Sequence, residues 1–130
     1  MSPINNDFQE TVDAMLIRHQ SILDILSKGQ EASSRVNRAI TKAVTSCGCV
    51  SVDAHKSPIP ENATLSDLKF LLNSHLEGDL CSNCREVVEI ELGNQLFYIS
   101  ALANILGLSV NEILEKEERR LKTLTVFNFR

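Results

Sequence analysis

Four cysteines stand in two close pairs, Cys47-Gly48-Cys49 and Cys81-Ser82-Asn83-Cys84, and the 130-residue chain has no others. Two thiolates separated by one or two residues can turn both sulfurs toward one point. Two such pairs supply the four ligands of a tetrahedral metal ion. Gly48 lies in the middle of the first pair, where a tight turn meets least steric resistance. The second pair has the spacing of zinc knuckles. The expected chemistry is a structural zinc site, with iron as the minor option because four thiolates suit it too.

Disulfides and redox chemistry are the alternatives. The chain opens Met1-Ser2-Pro3-Ile4-Asn5-Asn6-Asp7, with no basic start and no apolar signal core. No stretch has the length of a membrane span. A reducing cytoplasm is the expected setting, and stable disulfides are uncommon there. A thioredoxin-like role for Cys81 and Cys84 wants a strand before the motif and a helix after it. The pattern predicts the helix and no strand.

Composition narrows the function classes. Apolar residues make up 43% of the chain, enough for a core in a single domain over residues 1–130. The net charge is −4 and the basic residues are scattered. Phosphate contacts need clustered Lys and Arg, so a nucleic-acid surface is not expected. Only Lys116 to Lys122 is locally basic, and Glu115, Glu117 and Glu118 offset it, which reads as a solvated helix face.

Helices must position the cysteines. Phe8, Val12, Met15, His19, Ile22 and Leu26 recur at steps of three and four, predicting an amphipathic helix from about residue 7. Asp7 with Glu10 would cap it, and Gly29 would end or bend it. Val36, Ile40, Ala43, Val44 and Cys47 predict a second helix that delivers Cys-Gly-Cys at its end. Val50 to Val52 is too short to assign as a strand, and Pro58 and Pro60 break any helix. Thr64 with Asp67 predicts a short capped helix through Leu68, Leu71, Leu72 and Leu76, stopped by Gly78. A long helix is predicted over 82–106, closed by Gly107. Ser109 with Glu112 forms a capping box for the last helix. The expected fold is an all-α bundle of four to five helices. A knuckle, its cysteine pairs flanking a loop and a short helix, would join the second and third long helices.

The stretch Glu91-Leu92-Gly93-Asn94 through Asn104, followed by Leu106-Gly107-Leu108-Ser109 and Val110 to Lys116, resembles the second half of the MazG-like all-α nucleoside triphosphate pyrophosphohydrolases. The match covers roughly residues 88 to 122. The resemblance implies a dimer or higher oligomer and a site where carboxylates hold magnesium against a triphosphate. Those carboxylates come as an E-E-x-x-E element on one helix and E-x-x-D on the next. Magnesium prefers oxygen ligands, and spacings of three put them on one helical face.

Carried over by position, the second element becomes Glu91 and Asn94. The first falls on Ser33 to Asn37, with Ser34 and Asn37 at glutamate positions and Arg35 beside them. Of four anionic ligands only Glu91 remains. Glu91 itself lies in register with Cys84, Val88, Gln95, Tyr98 and Leu102, the stripe expected to look inward. A structural pair with Arg35 or Arg38, or a hydrogen bond to His19, is its expected role. His19 reads as a core residue, His55 and His75 as spare metal donors, and Glu86 with Glu89 as an exposed face.

These readings converge on a MazG-like, zinc-stapled helical domain that binds a nucleotide-like ligand or a protein partner without catalysis. Arg35, Arg38 and Glu91 are the candidate ligand contacts, and Cys47, Cys49, Cys81 and Cys84 the metal ligands. An active pyrophosphohydrolase with altered ligands, using magnesium, is one alternative. A thiol-based redox or metal sensor is another. The expected partner is a second copy of the chain, packed as a dimer. Phe127 and Phe129 are available for a partner groove or for folding back on their own subunit, and neither nucleic acid nor a membrane is expected.

Overall fold

In the computed structural model the described residues are 4–16 and 21–128, with backbone alone at 4–7 and 125–128. The expectations placed on His19 and Phe129, and on the side chains of Asp7 and Phe127, lie outside the description. Five α-helices carry the fold: α1 (Ile4–Met15), α2 (Ile22–Lys42), α3 (Leu65–Leu71), α4 (Ser82–Leu106) and α5 (Val110–Asn128). A π-helical turn, Ala43–Cys47, continues α2, and two short strands, β1 (Val50–Val52) and β2 (Leu76–Gly78), pair with each other. The chain is mostly helical, as its periodicity predicts.

The longest helices, α2 and α4, form the frame by packing against each other. Ile25, Ala32 and Val36 are the buried positions of α2, and Ala43 follows seven residues later on the same face. Alanine at two of these contact points, Ala32 and Ala43, lets the axes approach closely there, since no long side chain holds them apart. Gly29 belongs to the same contact. It does not end a helix, because α2 runs through it. A Cβ there would stand 3.6 Å from Tyr98 Cβ on α4, an ordinary van der Waals contact, so Gly29 lies directly opposite Tyr98 without the packing demanding a glycine.

The break falls earlier instead. Helix α1 ends at Met15 and α2 begins after Ser21, so the apolar repeat from Phe8 to Leu26 spans two helices. Val12 and Leu16 close over Ile25 and Ala101, and Phe97 and Leu102 pack against this cluster. Beside it, Gln9 fastens three elements. Its Nε2 donates to Asn104 Oδ1 and to the Leu108 carbonyl, each at 2.8 Å. Its Oε1 accepts from the Val110 N–H at 2.8 Å. That N–H belongs to the first turn of α5 and has no intrahelical acceptor, so Gln9 satisfies a helix end from another helix.

Gly107, at φ 70°, caps α4 in the left-handed region, and Ser109 Oγ accepts from the Glu112 N–H to start α5. Thr64 and Asp67 form both halves of the capping box of α3. Leu76 and Gly78, expected in or at the end of that helix, instead belong to β2. Helix α3 stops at Leu71 because Leu72 turns extended and His75 takes a left-handed φ of 64°. Val50, Ser51 and Val52 pair antiparallel with Gly78, Glu77 and Leu76. The leucine spacing that suggests a longer helix is overruled by this long-range pairing.

No single helix among the described residues is long and apolar enough to cross a membrane. The basic run of α5 is a solvated face: Glu117 pairs with Arg120 and Glu118 with Lys122, all exposed.

Candidate metal centre

Three local devices bring the four cysteines together. The π-helical turn widens the end of α2, and Gly48 at φ 79° then reverses the chain between Cys47 and Cys49. The β1–β2 pair holds the strand after Cys49 against the strand before Cys81. Finally, Cys81 is the N-cap of α4, its Sγ accepting from the Cys84 N–H at 3.4 Å. Cysteine is an uncommon cap, and a role for Cys81 in starting the helix is not visible from the motif spacing.

Gly78 locks the pieces together. Its φ is 85°, and a Cβ there would lie 2.6 Å from the Cys49 carbonyl oxygen. Only glycine allows the backbone of β2 this close to the first cysteine pair. In the sequence it reads as a helix stop, so its part in the site emerges from the strand pairing alone.

The ligand atoms of Cys47, Cys49, Cys81 and Cys84 all lie within 4.8 Å of one another. None of the four forms a disulfide. The Cys47 and Cys81 sulfurs, one from each pair, are 3.8 Å apart. A tetrahedron with metal–sulfur bonds of about 2.3 Å has sulfur–sulfur edges of about 3.8 Å. The donor set and its spread therefore fit one four-coordinate ion. His55 and His75 are not part of this cluster: their rings meet edge to face, with centroids 5.2 Å apart.

The second pair is electrostatically asymmetric. The Cys84 N–H, with the Cys84 thiol, favours a thiolate at Cys81 and brings it down to about 7. The same thiol bond, with partial burial, pushes Cys84 up to about 12. A strand, β2, does precede Cys81 and a helix does follow it, so the expectation of no strand is corrected. That strand pairs antiparallel with a three-residue neighbour, whereas a thioredoxin-like motif sits beside a parallel βαβ unit.

The other predicted site residues lie about two to four turns away from the cysteines along α2 and α4. Arg35 Nε stands 3.6 Å from Glu91 Oε1, and Arg35 also donates to Glu31 Oε1 at 2.9 Å. Glu91 is thus engaged in a cross-helix ion pair. Cys84, Val88, Gln95, Tyr98 and Leu102 are buried or half-buried, in line with the stripe that contains Glu91. Asn94 is half-buried, while Ser34, Asn37 and Arg38 are exposed, as are Glu86 and Glu89. A cleft of about 240 Å³ is lined by Arg35, Arg38, Ala39, Lys42, Val87 and Glu91. A neighbouring hollow of about 330 Å³ shares Ala39, Lys42 and Val87 with it and reaches Cys47 and Cys84. Lys42 is a cationic lining residue that the motif comparison passes over, since it lies beyond the span of the first element.

No protein-family profile, curated protein or solved structure matches this chain.

Proposed function

We propose that this protein is a metal-stapled helical binding domain in which Cys47, Cys49, Cys81 and Cys84 hold one structural zinc ion. The observation that carries the reading is the convergence of four thiol sulfurs within 4.8 Å, two from each end of a long chain excursion. Four protein thiolates close a tetrahedral site and leave no position for a substrate, so the ion serves architecture. It ties the end of α2 to the start of α4 and closes a loop of about thirty residues, removing unfolded-state entropy.

The binding surface is the cleft between α2 and α4, next to the staple. Arg35, Arg38 and Lys42 supply its cations, and Glu91 offsets one of them. This charge pattern suits a phosphate-bearing ligand of nucleotide type held by Arg38 and Lys42, with Arg35 positioned by Glu91. Hydrolysis in the manner of MazG-like enzymes is not part of the proposal. A magnesium triphosphate needs several anionic oxygens, and the positions in question are Ser34, Asn37, Asn94 and a Glu91 already paired with Arg35.

Elemental analysis of protein purified under reducing conditions tests the staple. One zinc per chain, lost on replacing any of the four cysteines by Ser, is expected. Protein free of zinc, or carrying iron instead, overturns that assignment. Titration with a nucleoside triphosphate in magnesium tests the cleft: saturable binding weakened by Arg38→Ala, without pyrophosphate release, is expected. Steady release that disappears in Glu91→Gln would replace a binding domain by an enzyme.

A further inference from the structure

The β1–β2 ribbon has two ends, and the cysteines occupy only one of them. Val50 pairs with Gly78 at that end, and Val52 with Leu76 at the other. Beyond Val52 the ladder gains one more bond, from the Asp53 N–H to the His75 carbonyl at 2.8 Å. His55 and His75 come from opposite sides of this far end, and their rings meet edge to face with centroids 5.2 Å apart. About three residues of strand, roughly 10 Å, separate them from the sulfurs.

The local backbone fixes both rings. His55 Nδ1 lies 3.1 Å from the Asp53 carbonyl oxygen. A carbonyl only accepts, so Nδ1 carries the proton and Nε2 is left with its lone pair. A ring N–H held in this way is the usual support of a metal-binding histidine, because it sets both tautomer and orientation. His75 has a φ of 64°, the one positive value outside glycine among the described residues. Its N–H donates to Asn73 Oδ1 at 2.8 Å, which holds the turn. Glycine or asparagine is the usual occupant of such a backbone, yet here it carries an imidazole set against its counterpart. His75 Nδ1 accepts from the His55 N–H at 3.5 Å, beyond the ordinary range of about 2.7–3.2 Å. Moving the His75 proton to Nδ1, which frees Nε2 for an ion, therefore gives up little.

We propose that His55 and His75 together form a second, exchangeable metal site, taking one zinc or nickel ion at the end of the ribbon opposite the cysteines.

Ring packing alone does not account for the pair. His55 is exposed and His75 half-buried, so their contact removes little surface from water, and an apolar ring in either place would remove more. Imidazole nitrogen suits divalent zinc and nickel. Two protein nitrogens leave the other positions to water, so this ion exchanges, in contrast to one closed in by four thiolates. Occupancy would also give the excursion a base. Helix α3 has no buried residue, and an ion joining His55 to His75 would close a loop of about twenty residues around it.

The pair shares no ligand with the four-cysteine centre, so either assignment can fail alone. Nickel binding to the full chain, counted by elemental analysis after equilibrium dialysis, tests it. The parent should hold one ion more per chain than His55→Ala or His75→Asn does, and asparagine keeps the left-handed turn at 75. The double variant should hold as much as either single one, the mark of one ion shared by two rings. In the parent, paramagnetic nickel should also broaden the amide signals of residues 53–55 and 73–76, a readout that needs no variant. If His75→Asn fails to fold, His55→Ala and the broadening carry the test. Equal nickel in parent and variants overturns the proposal, by leaving the metal at His19 or the thiols. A further loss in the double variant overturns it too, by dividing the pair into two separate contacts.

Discussion

The two ends of the α2–α4 pair are held by different physics. At one end Val12, Leu16, Ile25 and Ala101 form a shared apolar cluster, and Gln9 stitches α1 to the turn between α4 and α5. At the other, the buried apolar residues are Ala43, Val50 and Val88, and four sulfurs converge where a core would otherwise be. Burying a side chain of Ile or Leu size stabilises by about 1.5–3 kcal/mol. Thiols that are partly exposed supply little of that. At that end the proposed metal would stand in for a core that the side chains are too small to make.

The largest effect should come from removing the staple. Structural zinc in small metal-dependent domains contributes about 10–16 kcal/mol to folding. Here the apolar end can persist without it, so the loss should be local. With a strong chelator, or in Cys81→Ser, amide protection should vanish over 43–52 and 76–84 and survive around Ile25 and Ala101. Hydrogen exchange resolved by segment checks this. Uniform loss along α2 and α4 would mean the two ends are one cooperative unit, and the contrast would fall.

Ile25→Ala is the reciprocal experiment. Ile25 is 1% exposed, and truncating such a residue costs about 2–5 kcal/mol through lost transfer energy and a residual cavity. Denaturant unfolding should record that loss while metal content stays unchanged. A drop in bound zinc that tracks the loss of stability would show that the apolar end sets the geometry of the sulfurs.

Gly78→Ala separates backbone from ligand chemistry. It keeps all four thiols but places a Cβ against the Cys49 carbonyl at a left-handed φ. The expected cost is about 1–3 kcal/mol, accompanied by weaker metal binding, read from competition with a chromophoric chelator. Unchanged affinity would show that the cysteine pairs find the ion without the β1–β2 pairing.

How much of this is legible in the sequence follows the same division. Local rules suffice for α4, whose bounds are marked by Gly107 and by the cysteine motif, and for the Thr64–Asp67 cap. They also suffice for the inward stripe from Cys84 to Leu102, because a long period-3.6 pattern leaves few alternatives. They fail wherever a distant contact decides. Gly29 reads as a terminator until Tyr98 is opposite it. Val50–Val52 is undecidable until Leu76–Gly78 is paired with it, and Leu76 fits a helical period that His75 interrupts. In the site, the ligand types and spacings announce the sulfur cluster. The devices that assemble it, the π-helical turn, Gly78 and the Cys81 cap, are specified by backbone geometry that no residue spacing encodes. The cleft is half legible: Arg35 and Glu91 are singled out by the motif alignment and Arg38 as a pairing partner for Glu91, whereas Lys42 emerges only from where α2 lies against Val87.

The smallest and most selective effect concerns the protons of the metal-free cluster. The Cys84 N–H is the first cause that lowers Cys81, ahead of the Cys84 thiol, and takes it from 9.0 to about 7. A depressed thiol gives a sign that can be stated in advance. Its contribution to the metal-free fold is fully present above the ordinary thiol value and is lost as pH falls through about 7. Over the same interval Cys84, held near 12, keeps its proton. Near neutrality, therefore, Cys81 should be alkylated by iodoacetamide well before Cys84, and its rate should fall with pH as the thiolate is titrated. Mass spectrometry of peptides bearing each cysteine checks the order. Cys84→Ala sharpens the test, because it removes the thiol donor and keeps the N–H that starts α4. Cys81 should then remain below the usual thiol range, with only part of its reactivity lost. A return of Cys81 to ordinary thiol behaviour in Cys84→Ala would show that the neighbouring thiol, and not the helix start, prepares the first sulfur for the metal.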